Sequence, residues 1–146
     1  MPLSEPTTTD TSLYQQVQHF YARQMRWLDD GAVNEWAETF TEDGVFSANA
    51  QPHPQQGRES IRLGAEEADR RLTEQGVQRR HWLGMVQVDE NPDGTVTASS
   101  YAIVLSTPRG GHTVVDLSCT CEDLLIRDGD GFQVKRRQVH RDDLPN

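Results

Sequence analysis

The sequence lacks any long apolar segment and any excess of basic residues. Its mean hydropathy is −0.74, and no run approaches the ~20 apolar residues that a membrane-spanning helix needs. Its net charge is −9 and its isoelectric point is about 4.9. Because a phosphate backbone attracts basic surfaces and repels acidic ones, these features predict neither a membrane nor a nucleic-acid partner. With 146 residues, 34% of them hydrophobic, the chain is long enough for one domain with a real core.

Cysteine is scarce, and the sequence has no recognisable secretory leader. Cys119 and Cys121 lie two apart in an apparent strand, too strained a spacing for an easy disulfide, so they are predicted to be small core residues. The first residues, MPLSEPTTTDTS, have neither the basic start nor the apolar stretch of a signal peptide. They predict a frayed tail over residues 1–11 and a cytoplasmic protein.

The common cofactor motifs are also missing. The chain contains no GxGxxG, P-loop, HExxH or GxSxG pattern, so neither a nucleotide cofactor nor an activated serine is indicated. No zinc spacing is present, and His19, His53, His112 and His140 are scattered without a carboxylate partner at metal-binding distance in sequence. The prediction is a protein without a cofactor or a metal site.

The first half of the chain shows helical periodicity. Apolar residues three and four apart predict a helix that begins at a Ser12–Gln15 capping box and ends at Gly31. A short second stripe covers residues 33–40, and a third helix is predicted between Gly57 and Gly76. A first strand is expected from Val45, followed by a proline-broken loop over residues 49–56.

From residue 77 onward the period changes to two. Strands are predicted over residues 77–90, 95–107, 112–127 and 132–141, separated by Gly-containing turns. Helices followed by an antiparallel meander predict an α+β fold, with a single domain over residues 12–142. Three N-terminal helices on a curved antiparallel sheet would leave a cavity of the kind in which small ligands bind.

Three segments carry a family resemblance, in order and at suitable distances: LDDGAVNEWAETFTEDGVF (28–46), GRESIR (57–62) and QRRHWLGMVQVD (78–89). Together they resemble the SnoaL-like group of the nuclear transport factor 2-like superfamily. The segments FYARQM and QRRHW and the Ser118–Cys119 strand further resemble small proteins of actinomycete aromatic polyketide pathways, of the actinorhodin-pathway type. The resemblance implies a cone-shaped fold, a deep pocket for a small hydrophobic aromatic substrate, and a homodimer.

The resemblance also implies a pair of catalytic residues. His81 matches the histidine of scytalone dehydratase, and Asp29 matches the acid that orients it. An imidazole with a pKa near neutrality can take a proton from a bound enol or hydroxyl, or give one to it. The alternatives are a structural histidine and a solvated helix end, because an acid at the C-terminus of a helix opposes the helix dipole.

Further candidates lie on the strands. Asp123 falls where ketosteroid isomerase has its hydrogen-bonding acid, although a one-residue slip would put Glu122 there instead, and Asp116 is a weaker rival. Tyr101 is predicted to hydrogen-bond a substrate carbonyl or phenol. Tyr21 and Trp82 are candidates for substrate contact, with aromatic packing as the alternative for all three. Arg137 could pair with an acid at the mouth of the cone or be a surface charge.

Departures from the family pattern narrow the chemistry. The base of ketosteroid isomerase would fall near Ala48 and its tyrosine near Gln24, which disfavours steroid isomerisation. The second histidine of scytalone dehydratase would fall near Ser100 or Tyr101. The sequence therefore predicts a cofactor-independent dehydratase or cyclase that acts by general acid–base catalysis on a polyketide-derived aromatic intermediate. The alternative is a non-catalytic small subunit, similar to the β subunit of ring-hydroxylating dioxygenases, or a ligand-binding accessory protein.

Overall fold

Three helices pack against a curved six-stranded sheet in the computed structural model, which describes residues 9–145. The elements are α1 (Thr9–Asp29), α2 (Val33–Ala37), β1 (Phe40–Ala48), β2 (Gln55–Gln56), α3 (Arg58–Gln75), β3 (Val77–Glu90), β4 (Val96–Pro108), β5 (Val114–Asp128) and β6 (Gly131–Arg141). This is the α+β, nuclear transport factor 2-like fold that the sequence predicts. None of the helices described is both long and apolar enough to cross a membrane.

The longest helix, α1, buries most of the predicted stripe, namely Leu13, Val17, Phe20, Tyr21 and Met25, and leaves its last member, Leu28, partly buried. It begins at Thr9, so Ser12 lies inside it and the predicted capping box at its start is wrong. Residues 1–8 of the predicted tail lie outside the described part of the chain. At the other end the left-handed backbone of Gly31, with a φ of 76°, stops the helix as predicted.

The passage from helix to sheet occurs earlier than predicted. Phe40 belongs to β1 and not to the second helix, and β1 starts there instead of at Val45. The ring of Phe40 is fully buried, and the N–H of Val134 donates to the carbonyl of Thr39, so sheet pairing already holds this segment. The predicted loop over residues 49–56 contains the two-residue strand β2, which pairs with Val45 and Phe46.

The strand order is β2-β1-β6-β5-β4-β3, and β3 to β6 form the predicted antiparallel meander. The sheet is mixed and not purely antiparallel, because β1 pairs with β6 in parallel. The chain leaves β1 through β2 and α3, starts the meander at the far edge and returns beside β1. A long crossover of this kind permits a parallel pair.

The core lies between the inner face of the sheet and the helices. Buried side chains on the strands include Val96, Ala98, Leu125 and Val134, which pack against α1 and α2. Cys119 and Cys121 are free and buried on the same face, which confirms their predicted core position. The outer face instead exposes Trp82, Met85, Tyr101 and Ile103.

Candidate active site

The side chains of His81 and Asp29 meet where the end of α1 reaches β3. The imidazole Nδ1 of His81 lies 2.6 Å from Oδ1 of Asp29, and the backbone N–H of His81 donates to both carboxylate oxygens at 3.2 and 3.1 Å. A carboxylate oxygen accepts this hydrogen bond from Nδ1–H, so in the neutral imidazole the lone pair lies on Nε2. The contact fixes both the tautomer and the direction of the ring.

The chain positions this pair through the last turn of α1 and the start of β3. The side-chain amide of Gln78 donates to the carbonyl of Asp29 at 3.1 Å, which ties the helix end to the strand. A carboxylate at this end of a helix is disfavoured by the helix dipole. The donors from His81 offset that penalty, and the Asp29 side chain is only 7% exposed. Asp29 is therefore not a solvated helix end.

A groove of about 640 Å³ runs between α1 and β3 and contains His81 and Asp29 in its lining. Its apolar wall comes from Tyr21, Ala22, Met25, Leu83 and Leu105. A second cavity of about 380 Å³, between α1, α3 and β3, reaches the same pair from the other side. The His81 side chain is 22% exposed, so a small molecule in either space could reach its imidazole.

A larger groove of about 750 Å³ lies along another face of α1, next to α2 and the turn between β5 and β6. Its lining includes His19, Arg23 and Trp27, but none of the site residues predicted from the sequence. Size alone does not make it the active site, since no titratable pair comparable to Asp29 and His81 is formed there among the contacts of the described residues.

Asp123 lies on the inner face in a fully buried hydrogen-bond network. Arg137 donates to its two oxygens from Nε and Nη2, both at 2.9 Å, and the hydroxyl of Tyr21 donates to Oδ2 at 2.6 Å. Arg137 also donates to Gln24, which in turn donates to Thr39. The Asp123 and Arg137 side chains are 0% and 4% exposed. A paired carboxylate, and not a free acid, therefore occupies this position, and Arg137 is not a surface charge.

The network also keeps Tyr21 protonated. Burial raises the pKa of the Tyr21 hydroxyl well above its ordinary value, and the neighbouring charge of Asp123 raises it further. Tyr21 lines the groove next to His81 while its hydroxyl points to Asp123. It joins the buried network to the wall of the groove.

Of two predicted substrate contacts, Tyr101 lies outside the groove and Trp82 lies only at its rim. Tyr101 is 61% exposed on the outer face, because the buried residues of β4 are the even-numbered ones. The predicted place of Tyr101 in the pocket is therefore wrong. Trp82 contributes to the rim of the groove but is 69% exposed. Glu122 is exposed and Asp123 is buried, which resolves the choice of register between them.

Sequence reasoning missed several groove residues. Met25 is part of the helical stripe, and its spacing of four from Tyr21 is the signal that could have placed both on the groove wall. Arg26 and Arg80 line the groove as well. Within residues 9–145, the structure brings together no group of three His, Cys, Asp or Glu side chains suited to a metal ion.

Because of the buried thiol of Cys121, the free energy of unfolding should decrease at alkaline pH. Burial, with a contribution from Asp123, raises the pKa of its thiol from 9.0 to about 12. The folded state keeps the thiol protonated while the unfolded state ionises, so this stabilisation is present below pH 9.0 and is lost as the pH rises toward about 12. Near pH 10.5 the loss is about 2 kcal/mol.

We therefore expect the free energy of unfolding from urea titrations to fall less steeply between pH 9 and 11 in Cys121→Ala than in the wild type. The smaller side chain lowers stability at every pH, so the slope is the readout. Thr120→Ala, the neighbouring exposed position, should keep the wild-type slope. Equal slopes in Cys121→Ala and the wild type would contradict the prediction.

Comparison with known proteins agrees with the fold and the sequence motifs. Residues 9–138 match the SnoaL-like domain. The structure is similar to that of Aln2 from a Streptomyces species, with 35% identity, a TM-score of 0.83, and coverage of 98% of this chain and 95% of that one. The structure is also similar to that of ActVI-ORFA from Streptomyces coelicolor, with 32% identity, a TM-score of 0.84, and coverage of 93% of this chain and 99% of that one.

A protein from Catenulispora acidiphila, whose structure is in complex with S-DNPA, is 40% identical to this chain. Its TM-score is 0.80, and the match covers 90% of this chain and 95% of that one. No protein among those with curated descriptions matches the chain. The domain match spans most of the chain, and all three structural relatives exceed 30% identity over nine-tenths of it. The chain therefore belongs to the SnoaL-like domain family.

Proposed function

We propose that this protein is a cofactor-independent enzyme of the dehydratase or cyclase type, with His81 as its general base and acid. The observation that carries the proposal is the 2.6 Å contact between His81 Nδ1 and Asp29 Oδ1 at the wall of a groove. General acid–base catalysis needs a positioned titratable group within reach of the substrate, and this contact supplies the position.

In the proposed reaction His81 removes one proton from the substrate and later returns one proton to it. Nε2 of His81 removes a proton from an acidic C–H or hydroxyl of the substrate, and Asp29 stabilises the resulting imidazolium. The imidazolium then returns a proton, either to a leaving hydroxyl that departs as water or to the oxygen anion formed in a ring closure. Neither step changes an oxidation state.

The proposed substrate is a small hydrophobic aromatic molecule derived from a polyketide. The apolar wall of the groove, which includes the partly buried Leu83 and Leu105, suits the aromatic part of such a molecule. The likeness to ActVI-ORFA and Aln2, and to a protein in complex with S-DNPA, supports this substrate class. A cytoplasmic location, expected from the sequence, is part of the same proposal.

The direct test is turnover. Purified protein is incubated with candidate aromatic polyketide intermediates, and the products are separated by chromatography and identified by mass. Loss of the mass of one water molecule or an isomeric ring-closed product supports the proposal. Conversion that is the same with wild-type and His81→Ala protein would refute it.

A non-catalytic role, as a small subunit or a ligand-binding accessory protein, is the second candidate. The observation that favours it is the set of apolar side chains exposed on the outer face of the sheet: Trp82, Met85, Tyr101, Ile103 and Val115. Contiguous exposed apolar surface of this kind is typical of a protein interface. A chain that binds aromatic ligands but converts none of them would fit this role.

We also propose that two copies of the chain pair through this outer face. Wild-type protein should then behave in light scattering as a particle of about 33 kDa, twice the chain mass of 16.5 kDa. Tyr101→Glu places a charge in the centre of the patch and should shift the particle toward 16.5 kDa at micromolar concentration. Thr73→Glu, an exposed position on α3, serves as the control. A wild-type particle of 16.5 kDa would contradict the proposal.

A further inference from the structure

The cavity of about 380 Å³ between α1, α3 and β3 is a compartment of its own behind the groove. Its lining comes from the end of α1, one face of α3 and the start of β3, and it shares only Asp29 and His81 with the groove. The Asp29–His81 pair therefore lies between two spaces. We call the second one the rear chamber.

A buried donor in the rear chamber has no protein partner. Arg79 lines the chamber, and Nη2 of its guanidinium donates to Asp116 at 3.0 Å. The Nε of the same guanidinium is buried and makes no hydrogen bond among the described residues. Because buried N–H groups in proteins are almost always hydrogen-bonded, an acceptor that is not part of the chain is expected here.

Acceptors with unused lone pairs lie in the same lining. Oδ2 of Asp29 accepts only the backbone N–H of His81, although a carboxylate oxygen has two lone pairs. Asp69 also lines the chamber and takes part in none of the ion pairs of the described residues. Its carboxylate lies against the backbone of Gly31, where an added Cβ would be 2.9 Å from Oδ1. This contact keeps Asp69 at the end of α1, where Asp29 lies.

These groups favour water as the occupant of the rear chamber. An apolar molecule would deprive Asp29, Asp69 and Arg79 of hydrogen bonds, an anion would meet two carboxylates, and a cation would meet the guanidinium. Water both donates and accepts, and the chamber has room for several molecules at about 30 Å³ each. We propose that the rear chamber holds water bonded to Arg79 Nε and Asp29 Oδ2, and that this water exchanges protons with the His81–Asp29 pair.

This inference rests on the proposed function of His81 and adds a solvent route to the same site. An aromatic substrate fills the groove and excludes water from that side of the imidazole. The rear chamber keeps the other side of the pair in contact with water, so the imidazole exchanges protons with solvent while the groove is occupied. Arg79 and Asp69 are positioning residues for the water, and the proton transfer to the substrate stays with His81.

The first test detects the water directly. Magnetisation transfer from water to the Arg79 Nε–H is measured by nuclear magnetic resonance on nitrogen-labelled protein without substrate. We expect a cross-peak in wild-type protein that is reduced at least about threefold in Ala68→Leu, whose larger side chain displaces water from the chamber. Ala50→Leu, the same change at an exposed position outside both cavities, is the control and should keep the cross-peak. Absence of the cross-peak in wild-type protein would overturn the inference.

The second test measures the exchange of the His81 Nδ1 proton with water by solvent saturation transfer. Ala22→Phe narrows the groove from the exposed flank of α1 and should slow exchange less than about threefold, since the rear chamber still supplies water. Ala22→Phe combined with Ala68→Leu obstructs both routes and should slow exchange at least about tenfold. Thr73→Leu, at an exposed position in the chamber lining, takes the place of Ala68→Leu if that variant does not fold.

Two results of the exchange measurement would refute the proposed route. One is a loss of about tenfold in Ala22→Phe alone, which would make the groove the route to solvent. The other is a double variant that exchanges as fast as Ala22→Phe, which would show that the rear chamber carries no exchange.

Neither measurement needs turnover, so the inference and the proposed function can fail separately. In His81→Ala the water signal at Arg79 should persist while turnover is lost. Turnover through His81 in a protein without water at Arg79 would refute only the inference. Water at Arg79 together with turnover that does not depend on His81 would refute only the proposed function.

Discussion

Replacing His81 by alanine should lower kcat/KM on the proposed polyketide-derived substrate by about 10²–10⁴-fold, the usual contribution of general acid–base catalysis. In the proposed mechanism Asp29 accepts from Nδ1 at 2.6 Å, which leaves Nε2 available to the substrate. The variant should remain folded, since the His81 side chain is 22% exposed and is not part of the packed core. Circular dichroism and thermal unfolding check that point.

Asp29→Asn should lower the rate by a smaller factor than His81→Ala. The imidazole remains, but a neutral amide no longer stabilises the imidazolium and holds its orientation less firmly. The loss should appear mainly in kcat, because Asp29 acts through His81 and not by holding the substrate. An Asp29→Asn variant with full kcat would show that the carboxylate is not needed to position the imidazole.

Two other histidines serve as controls for the same experiment. His140 is on β6, outside the groove, and His140→Ala should keep the wild-type rate. His19 lines the larger groove on another face of α1. If His19→Ala abolished turnover and His81→Ala did not, the larger groove would be the active site and the proposed mechanism would be wrong.

The sequence predicted the helices and the long meander because both carry strong periodic patterns. The stripe on α1 and the alternation from residue 77 onward place those elements within a few residues of their observed bounds. The parallel pairing of β1 with β6 could not be read in the same way. Apolar periodicity shows which residues of a strand share a face, but it carries no information about the direction of a distant partner.

The candidate site was predicted only in part, because its contacts join segments that are far apart in the sequence. Asp29 and His81 were identified from family-like segments, while their contact depends on where the end of α1 meets β3, across 52 residues of sequence. Tyr101 was misplaced because the two faces of β4 are similar in composition. Val96, Ala98, Val104 and Ser106 alternate with Thr97, Ile103 and Leu105, so the alternation does not decide which set is buried.

Asp123→Ala should lower the free energy of unfolding by about 3–5 kcal/mol, the cost of leaving one partner of a buried ion pair without compensation. The Arg137 guanidinium is 4% exposed and makes two of its hydrogen bonds to Asp123. In the variant it would remain charged in the core with Gln24 as its partner. Urea titration followed by tryptophan fluorescence measures the loss.

The double variant Asp123→Leu with Arg137→Met tests whether the loss comes from the unpaired charge. Removal of both charges in favour of apolar groups should recover much of the stability, since buried pairs are often replaceable in this way. Arg70→Ala, which removes an arginine that is more than half exposed on α3 from its pairs with Glu67 and Glu74, should change stability little. If Asp123→Ala were as stable as the wild type, the network would not be holding Tyr21 and the wall of the groove in place. A loss of kcat in a fully stable Asp123→Ala variant would then favour the catalytic role that the family resemblance implies for Asp123.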